Sequence, residues 1–287
     1  MYSDGVSSSL ICRIRSLSRP DWPIIVGGCP RSGTSLVRRI LNAHSAIHCG
    51  PEVKFFRDFF GDYFHDPLRH LRFAASARAM LPEPDLFEIT SKAFVALHER
   101  AALLAGKRRW ADKNPENVLY LDQWTQILGQ RWVFIHVIRN PLDTLAAIKE
   151  RSFPLSIPAS LDDRVGFYHK YLSAGIEFAR NRPSLCFRIH YERLVQSPEA
   201  GLGELMEWLG ERLEAPQFDF NSFAQQTGLE DPKVAQTAKI HTESVGRWKK
   251  DLSREEAKTM WRGVRDLWKS LDPDSHYLPR SDDGWPE

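Results

Sequence analysis

Short apolar runs alternate along this chain with longer stretches in which apolar residues recur every three or four positions. Ile24 to Gly27, bounded by Pro23 and glycine, predicts a buried strand. Thr34 to Leu41, with Leu36, Val37, Ile40 and Leu41 at helical spacing, predicts a helix packed on a sheet. From Asp85 to Gly106 the positions Leu86, Ile89, Ala93, Leu97, Ala101 and Leu104 trace one apolar helical face, with Pro84 before it and Gly106 as its stop. Arg109 to Asp112 reads as a short strand, Pro115 to Leu128 as a helix closed by Gly129, and Trp132 to Ile138 as a strand apolar enough to be covered on both faces. Pro141 suits the first turn of a helix running to about Glu150, and SFPLSIPAS reads as a loop. A long helix over Leu161 to Arg180, a strand over Leu185 to Ile189 and a helix from Pro198 through Leu209 continue the alternation. After a proline-spotted polar stretch, an amphipathic helix spans Ser253 to Leu271. Strand and helix in alternation predict an α/β fold with a central parallel sheet between helices. The expected organisation is a flexible N-terminal tail over residues 1–22 and one domain over 23–287.

Composition narrows the function more than the fold. With 39 basic and 37 acidic residues the formal charge is +2, so no global field recruits nucleic acid or an anionic membrane, and an anionic ligand must be caught locally. Cys12, Cys29, Cys49 and Cys186 have no metal-ligand or redox spacing and read as free thiols of a reducing cytoplasm. The first twenty residues hold only Leu10 and Ile11 as an apolar pair before arginines intervene, which predicts neither a signal peptide nor a membrane anchor.

The strongest chemical signal is GGCPRSGTS, Gly27 to Ser35, which joins the first strand to a helix N-terminus. Unpaired backbone N–H groups and the helix dipole favour an anion there. An ATP-binding loop would end Gly-Lys-Ser/Thr to reach the β/γ-phosphates and hold Mg²⁺; here Gly33 is followed by Thr34, and the cation comes earlier, at Arg31. That displacement suits a 5′-phosphate whose leaving group is bridged from within the loop, with Ser32, Thr34 and Ser35 as hydroxyl donors. A second natural anion site is Arg139, between a buried strand and a helix start in IHVIRNPLDTLAAIK.

PRSGTSLVRRILNAH resembles the 5′-phosphosulfate loop of sulfotransferases that use 3′-phosphoadenosine 5′-phosphosulfate (PAPS), in the form found in tyrosylprotein sulfotransferases and their bacterial relatives. The resemblance runs through five ordered segments and implies a P-loop-NTPase-like three-layer fold, with Arg31, Ser32, Gly33, Thr34 and Ser35 on the donor. It implies that Arg139 holds the 3′-phosphate. The family's serine eight residues further on is Ala147 here, so Thr144 or a C-terminal residue is expected to stand in. SVGRWKKDLS resembles the C-terminal loop whose basic residue, here Arg247, reaches over the nucleotide, and RIHYERL implies that Tyr191 packs near the adenine. HCGPEV resembles the segment that carries the catalytic glutamate, implying Glu52 as general base although Pro51 stands where the family has an acid. WADKNPENV resembles the segment whose lysine approaches the transferred group, implying Lys113.

A transferred sulfuryl group carries less negative charge than a terminal phosphoryl, so protein cations suffice and no metal is expected. His44 and His48 are four apart but lack the glutamate of a zinc helix. Lys107, Arg108 and Arg109 read as decoration of a surface turn, and Phe55, Phe56, Phe59 and Phe60 as core. Two other functions remain open: a small-molecule kinase with a degenerate phosphate loop, and a sulfotransferase-like scaffold that binds nucleotide without turnover. The acceptor, whether small molecule, glycolipid or peptide, has no code in the sequence.

Overall fold

The computed structural model describes residues 21–61, 72–150, 157–220 and 239–271. Most of the expected N-terminal tail and much of the SFPLSIPAS loop lie outside the described residues.

Five strands, β1 (Ile24–Gly28), β2 (Ile47–Cys49), β3 (Arg109–Lys113), β4 (Val133–Ile138) and β5 (Cys186–His190), form one sheet in the order β2-β3-β1-β4-β5. Every pairing is parallel. The fold is therefore the expected α/β architecture. Side chains alternate between the faces of each strand, and the sequence uses the alternation to build two cores. Ile24 and Val26 of β1, with Val133, Ile135 and Val137 of β4, pack under α1 (Thr34–Ala43), which returns the chain to β2. Ile25, Phe134 and Ile138 face the opposite side. That second core is covered by α2 (Phe55–Phe60), α4 (Glu83–Leu104), α5 (Leu121–Leu128), α6 (Pro141–Lys149) and α7 (Leu161–Asn181), α3 (Arg72–Met80) lying between α2 and α4 in sequence. The α8 (Tyr191–Gln196) and α9 (Pro198–Leu209) helices join α1 on the first face; α10 (Trp248–Asp251) and α11 (Arg254–Lys269) complete the second.

Three expectations change. Helix α4 forms, and Leu86 is buried as expected, but its inner face continues through Phe87, Ser91, Phe94, His98 and Ala102, while Ile89 and Leu97 are 57% and 54% exposed. The polar residues Ser91 and His98 hid the true inner face, because His98 is drawn inward to Asp112, 3.3 Å away. The expected helix over Pro115 to Leu128 splits into a 3₁₀ turn, Pro115–Leu119, and α5, because the Asn117 amide turns inward to the Val26 carbonyl (3.0 Å) and to Asp112 (2.8 Å). The basic trio is a clasp, not a decoration. Lys107 donates to the carbonyls of Asn42 and Ile47, and Arg109, 1% exposed, donates to those of Trp22 and Leu209 and pairs with Glu211. The phenylalanine run is core only in part: Phe56 and Phe59 are buried among Phe87, Phe94, Tyr120 and Trp124 and Phe55 packs against them, but Phe60 is 37% exposed.

Parallel strands end at one edge of the sheet. Arg31 follows β1, Glu52 follows β2, Lys113 ends β3, Arg139 follows β4 and Tyr191 follows β5. Topology alone thus gathers the five at the carboxyl edge, where open α/β sheets bind ligands.

Candidate active site

The loop after β1 is shaped by three unusual backbone positions. Gly28 lies so close to β4 that a Cβ would meet the Val137 carbonyl oxygen at 2.2 Å. Arg31 adopts φ 73°, in the left-handed region that costs a non-glycine residue roughly 1–2 kcal/mol. Gly33 has φ 100°, and a Cβ there would stand 2.4 Å from Cδ2 of Tyr191. The turn is closed by the Ser32 N–H donating to Cys29 O at 3.0 Å, and the Ser32 hydroxyl donates to Val137 O at 3.2 Å. Helix α1 then starts with no capping side chain and no acid in its own first turn, so the helix itself supplies no anion to its dipole.

Across the loop, the Arg139 guanidinium donates to Arg31 O (3.0 Å) and Ser244 O (2.5 Å), while its buried Nε makes no hydrogen bond among the described residues. The guanidinium lies over the Tyr191 ring, 4.6 Å from its centroid, and the Tyr191 hydroxyl bonds the Ser244 side chain. Arg139 is placed by its own main chain. The Tyr168 hydroxyl donates to Arg139 O at 2.7 Å, and the Asn140 N–H donates to buried Glu192 at 2.8 Å. Burial pushes the Glu192 carboxyl up to about 7. Asp143, in the first turn of α6, accepts from the N–H groups of Gly246 (2.8 Å) and Trp248 (3.1 Å), which fixes the segment carrying Ser244.

On the other side of the loop lies a row of charges. Lys113, 0% exposed, donates to the Ser35 hydroxyl at 3.0 Å and to Oε1 of Glu52. Lys54 sits 2.6 Å from Oε2 of Glu52 and 3.0 Å from Glu116. Burial pushes the Glu52 carboxyl up, but Lys113 first and Lys54 second outweigh it and hold it at about 2. Helix α1 sets the height of this segment: Arg38 donates to Cys49 O (3.2 Å) and Gly50 O (3.4 Å), and Asn42 accepts from the Cys49 N–H (3.0 Å). Asn114 donates to Val53 O at 2.9 Å from the β3 side.

The model of the Sulfotransferase family matches residues 23–215, from the start of β1 to beyond α9. The chain belongs to the sulfotransferase family. It is 28% identical over 204 residues to the "Putative protein-tyrosine sulfotransferase" of Caenorhabditis briggsae, covering 67% of each chain. It is 23% identical over 257 residues to nodulation protein NoeE of Sinorhizobium fredii, covering 81% of this chain and 61% of that one. The sulfotransferase domain of the Synechococcus PCC 7002 olefin synthase superposes with a TM-score of 0.66 at 17% identity, over 90% of this chain and 96% of that one. A sulfotransferase domain from the curacin biosynthetic pathway gives 0.59 at 19%, over 87% and 98%. The two structures share the fold.

In this sulfotransferase the loop, Arg139 and Tyr191 form one contact group, and the loop, Glu52 and Lys113 another. Among the described residues Arg247 joins neither: it pairs with Glu150 (3.0 Å) and Asp251 (2.5 Å). From its segment, Ser244 is what meets Arg139. Thr144 is 0% exposed and donates to Asn140 O, so it does not present a hydroxyl to a ligand; Ala147 is buried in α6. Sequence reasoning missed Lys54, Glu116, Asp143 and Glu192. Asp143 carried a signal, an acid in the first turn after Asn-Pro, and Glu192 follows Tyr191 in RIHYERL; Lys54 and Glu116 carry no pattern of their own. Among the described residues there is no group of three or more His, Cys, Asp or Glu able to hold a metal ion, and no helix long and apolar enough to cross a membrane.

Proposed function

We propose that the protein transfers a sulfuryl group from PAPS to an acceptor hydroxyl or amine by in-line displacement, with Glu52 as general base. One observation carries the reading: buried Lys113 touches both Ser35 of the anion loop and Glu52, so the groups needed on donor and acceptor meet at one cation. In this reading the main-chain amides of Gly33, Thr34 and Ser35 and the hydroxyls of Thr34 and Ser35 bind the 5′-phosphate, while Ser32, whose N–H and hydroxyl donate to Cys29 O and Val137 O, shapes the loop. Arg139 takes the 3′-phosphate, offering the buried Nε that lacks an acceptor, and Tyr191 packs beside the nucleotide. Arg247 reaches the nucleotide only by exchanging Glu150 and Asp251 for it.

Arg31 and Lys113 neutralise the charge that develops on the bridging and sulfuryl oxygens, a task best done by fixed cations away from water. Glu52 is ionised at neutral pH, the form that accepts the acceptor's proton; the donor draws Lys113 from it and restores part of its basicity. No metal is required. The acceptor is a small molecule, glycolipid or peptide in a cytoplasmic setting, and the nematode relative's name makes a phenolic hydroxyl the first to screen. Calorimetry is expected to show 3′-phosphoadenosine 5′-phosphate (PAP) binding tighter than adenosine monophosphate, and radiolabelled PAPS is expected to label an acceptor without Mg²⁺. Equal binding of the two nucleotides, or transfer only from ATP with Mg²⁺, overturns the reading.

A further inference from the structure

Glu52 has both oxygens engaged, Oε1 by Lys113 and Oε2 by Lys54 at 2.6 Å. A base needs one oxygen released and the other held. Lys113 is the cation that also touches the anion loop, so Oε1 is the oxygen that a bound donor frees. Lys54 then remains the sole cation of this row on the carboxylate, and its hold decides how readily Oε1 takes a proton.

Lys54 does not act alone. Its Nζ lies 3.0 and 3.2 Å from the two oxygens of Glu116, which is 4% exposed at the start of the 3₁₀ turn that follows β3. One strand end thus supplies both limits of an alternating row, Lys113 and, three residues later, Glu116, with Glu52 and Lys54 between them. The other charges at this place are already committed. Asp112 of β3 is bonded by Asn114 and Asn117 and faced by His98 of α4, and Tyr171 of α7 interacts electrostatically with both Glu116 and Arg57 of α2. Lys54 is therefore shared between two carboxylates, and each weakens its grip on the other.

We propose that Glu116, acting through Lys54, is a positioning residue that sets the basicity of Glu52: it divides the lysine's charge so that Lys54 anchors Oε2 without disabling Oε1. This rests on the reading of Glu52 as the base.

The test is a carboxyl ¹³C NMR titration of Glu52 in the full chain carrying Lys113→Met, which reproduces the loss of the first lysine; Lys113→Gln serves if that chain fails to fold. Against this background Glu116→Gln is expected to lower the Glu52 midpoint by about one unit, and Lys54→Gln to raise it by about one unit. Once Lys54 is replaced, adding Glu116→Gln is expected to change nothing further, and this double variant replaces the ion pair by two amides that fold without a stranded charge. Each chain is checked by its thermal melt. A midpoint that ignores Glu116, or falls equally with and without Lys54, overturns the inference. Calorimetry with PAP on otherwise native Glu116→Gln is expected to show native affinity, and failure of the native chain to bind PAP would sink the sulfuryl-transfer reading without touching the titration.

Discussion

The two flanks of the loop after β1 are held by different physics. On the Arg139 side nearly every contact has a main-chain partner: Arg139 and Tyr168 donate to carbonyls and Asp143 and Glu192 accept from amides, with Tyr191 filling the space that Gly33 leaves. On the Glu52 side nearly everything is ion pairing, Lys113 to Glu52 to Lys54 to Glu116. The main-chain carbonyls that hold the Arg139 guanidinium cannot titrate or turn away, so the first flank is a rigid seat. Paired charges can exchange partners when a new anion arrives, so the second is suited to a step in which charge moves.

Breaking the second flank is expected to give the largest effect. Glu52→Gln is expected to lower the single-turnover rate with radiolabelled PAPS about 10²–10⁴-fold while PAP affinity stays native; an unchanged rate would move the base elsewhere. Breaking the first flank is expected to act on binding. Arg139→Leu removes a buried charged partner and is expected to cost about 2–5 kcal/mol of PAP affinity, with adenosine monophosphate unaffected in the same calorimetric titration. Arg247→Ala, which among the described residues loses the pairs with Glu150 and Asp251, is expected to cost less.

Gly33→Ala sharpens the contrast at the seat itself. A side chain at φ 100° against the Tyr191 ring is expected to destabilise the fold by about 1–3 kcal/mol in a denaturant melt, and part of that loss is expected to return when Tyr191→Ala makes room. The smallest effect concerns Glu192. Its carboxyl rises from 4.5 unfolded to about 7 when buried, so its contribution to stability is present below pH 4.5 and is lost as pH rises through about 7. Native chain is expected to lose melting temperature over that window, and Glu192→Gln, which keeps an acceptor for the Asn140 N–H, is expected to flatten the decline.

Much of this site is legible in the residues because a parallel sheet places strand ends together by rule. Arg31 and Arg139 could be marked from a short apolar strand and the helix start that follows it, whereas Lys113 and Tyr191 were marked through the likeness of WADKNPENV and RIHYERL to family segments. β2 was not legible: three residues, Ile47–Cys49, carry no periodicity, and Glu52 was found through its likeness to a family segment rather than through a strand. Helix α4 shows the opposite failure, an apolar pattern that points the wrong way because His98 and Ser91 occupy the inner face.

Lys54 and Glu116 lie 62 positions apart, and each reads alone as a solvated charge. The alternation of apolar runs with helical spacing, and the glycines around Arg31, determined the α/β sheet and the anion loop, because strand, turn and helix are decided by neighbours in the chain. Which charges became partners around Glu52 was decided only in three dimensions: an ion pair depends on a few ångströms between side chains, and that distance is set by how β2, β3 and the turn after β3 pack, not by any spacing along the sequence.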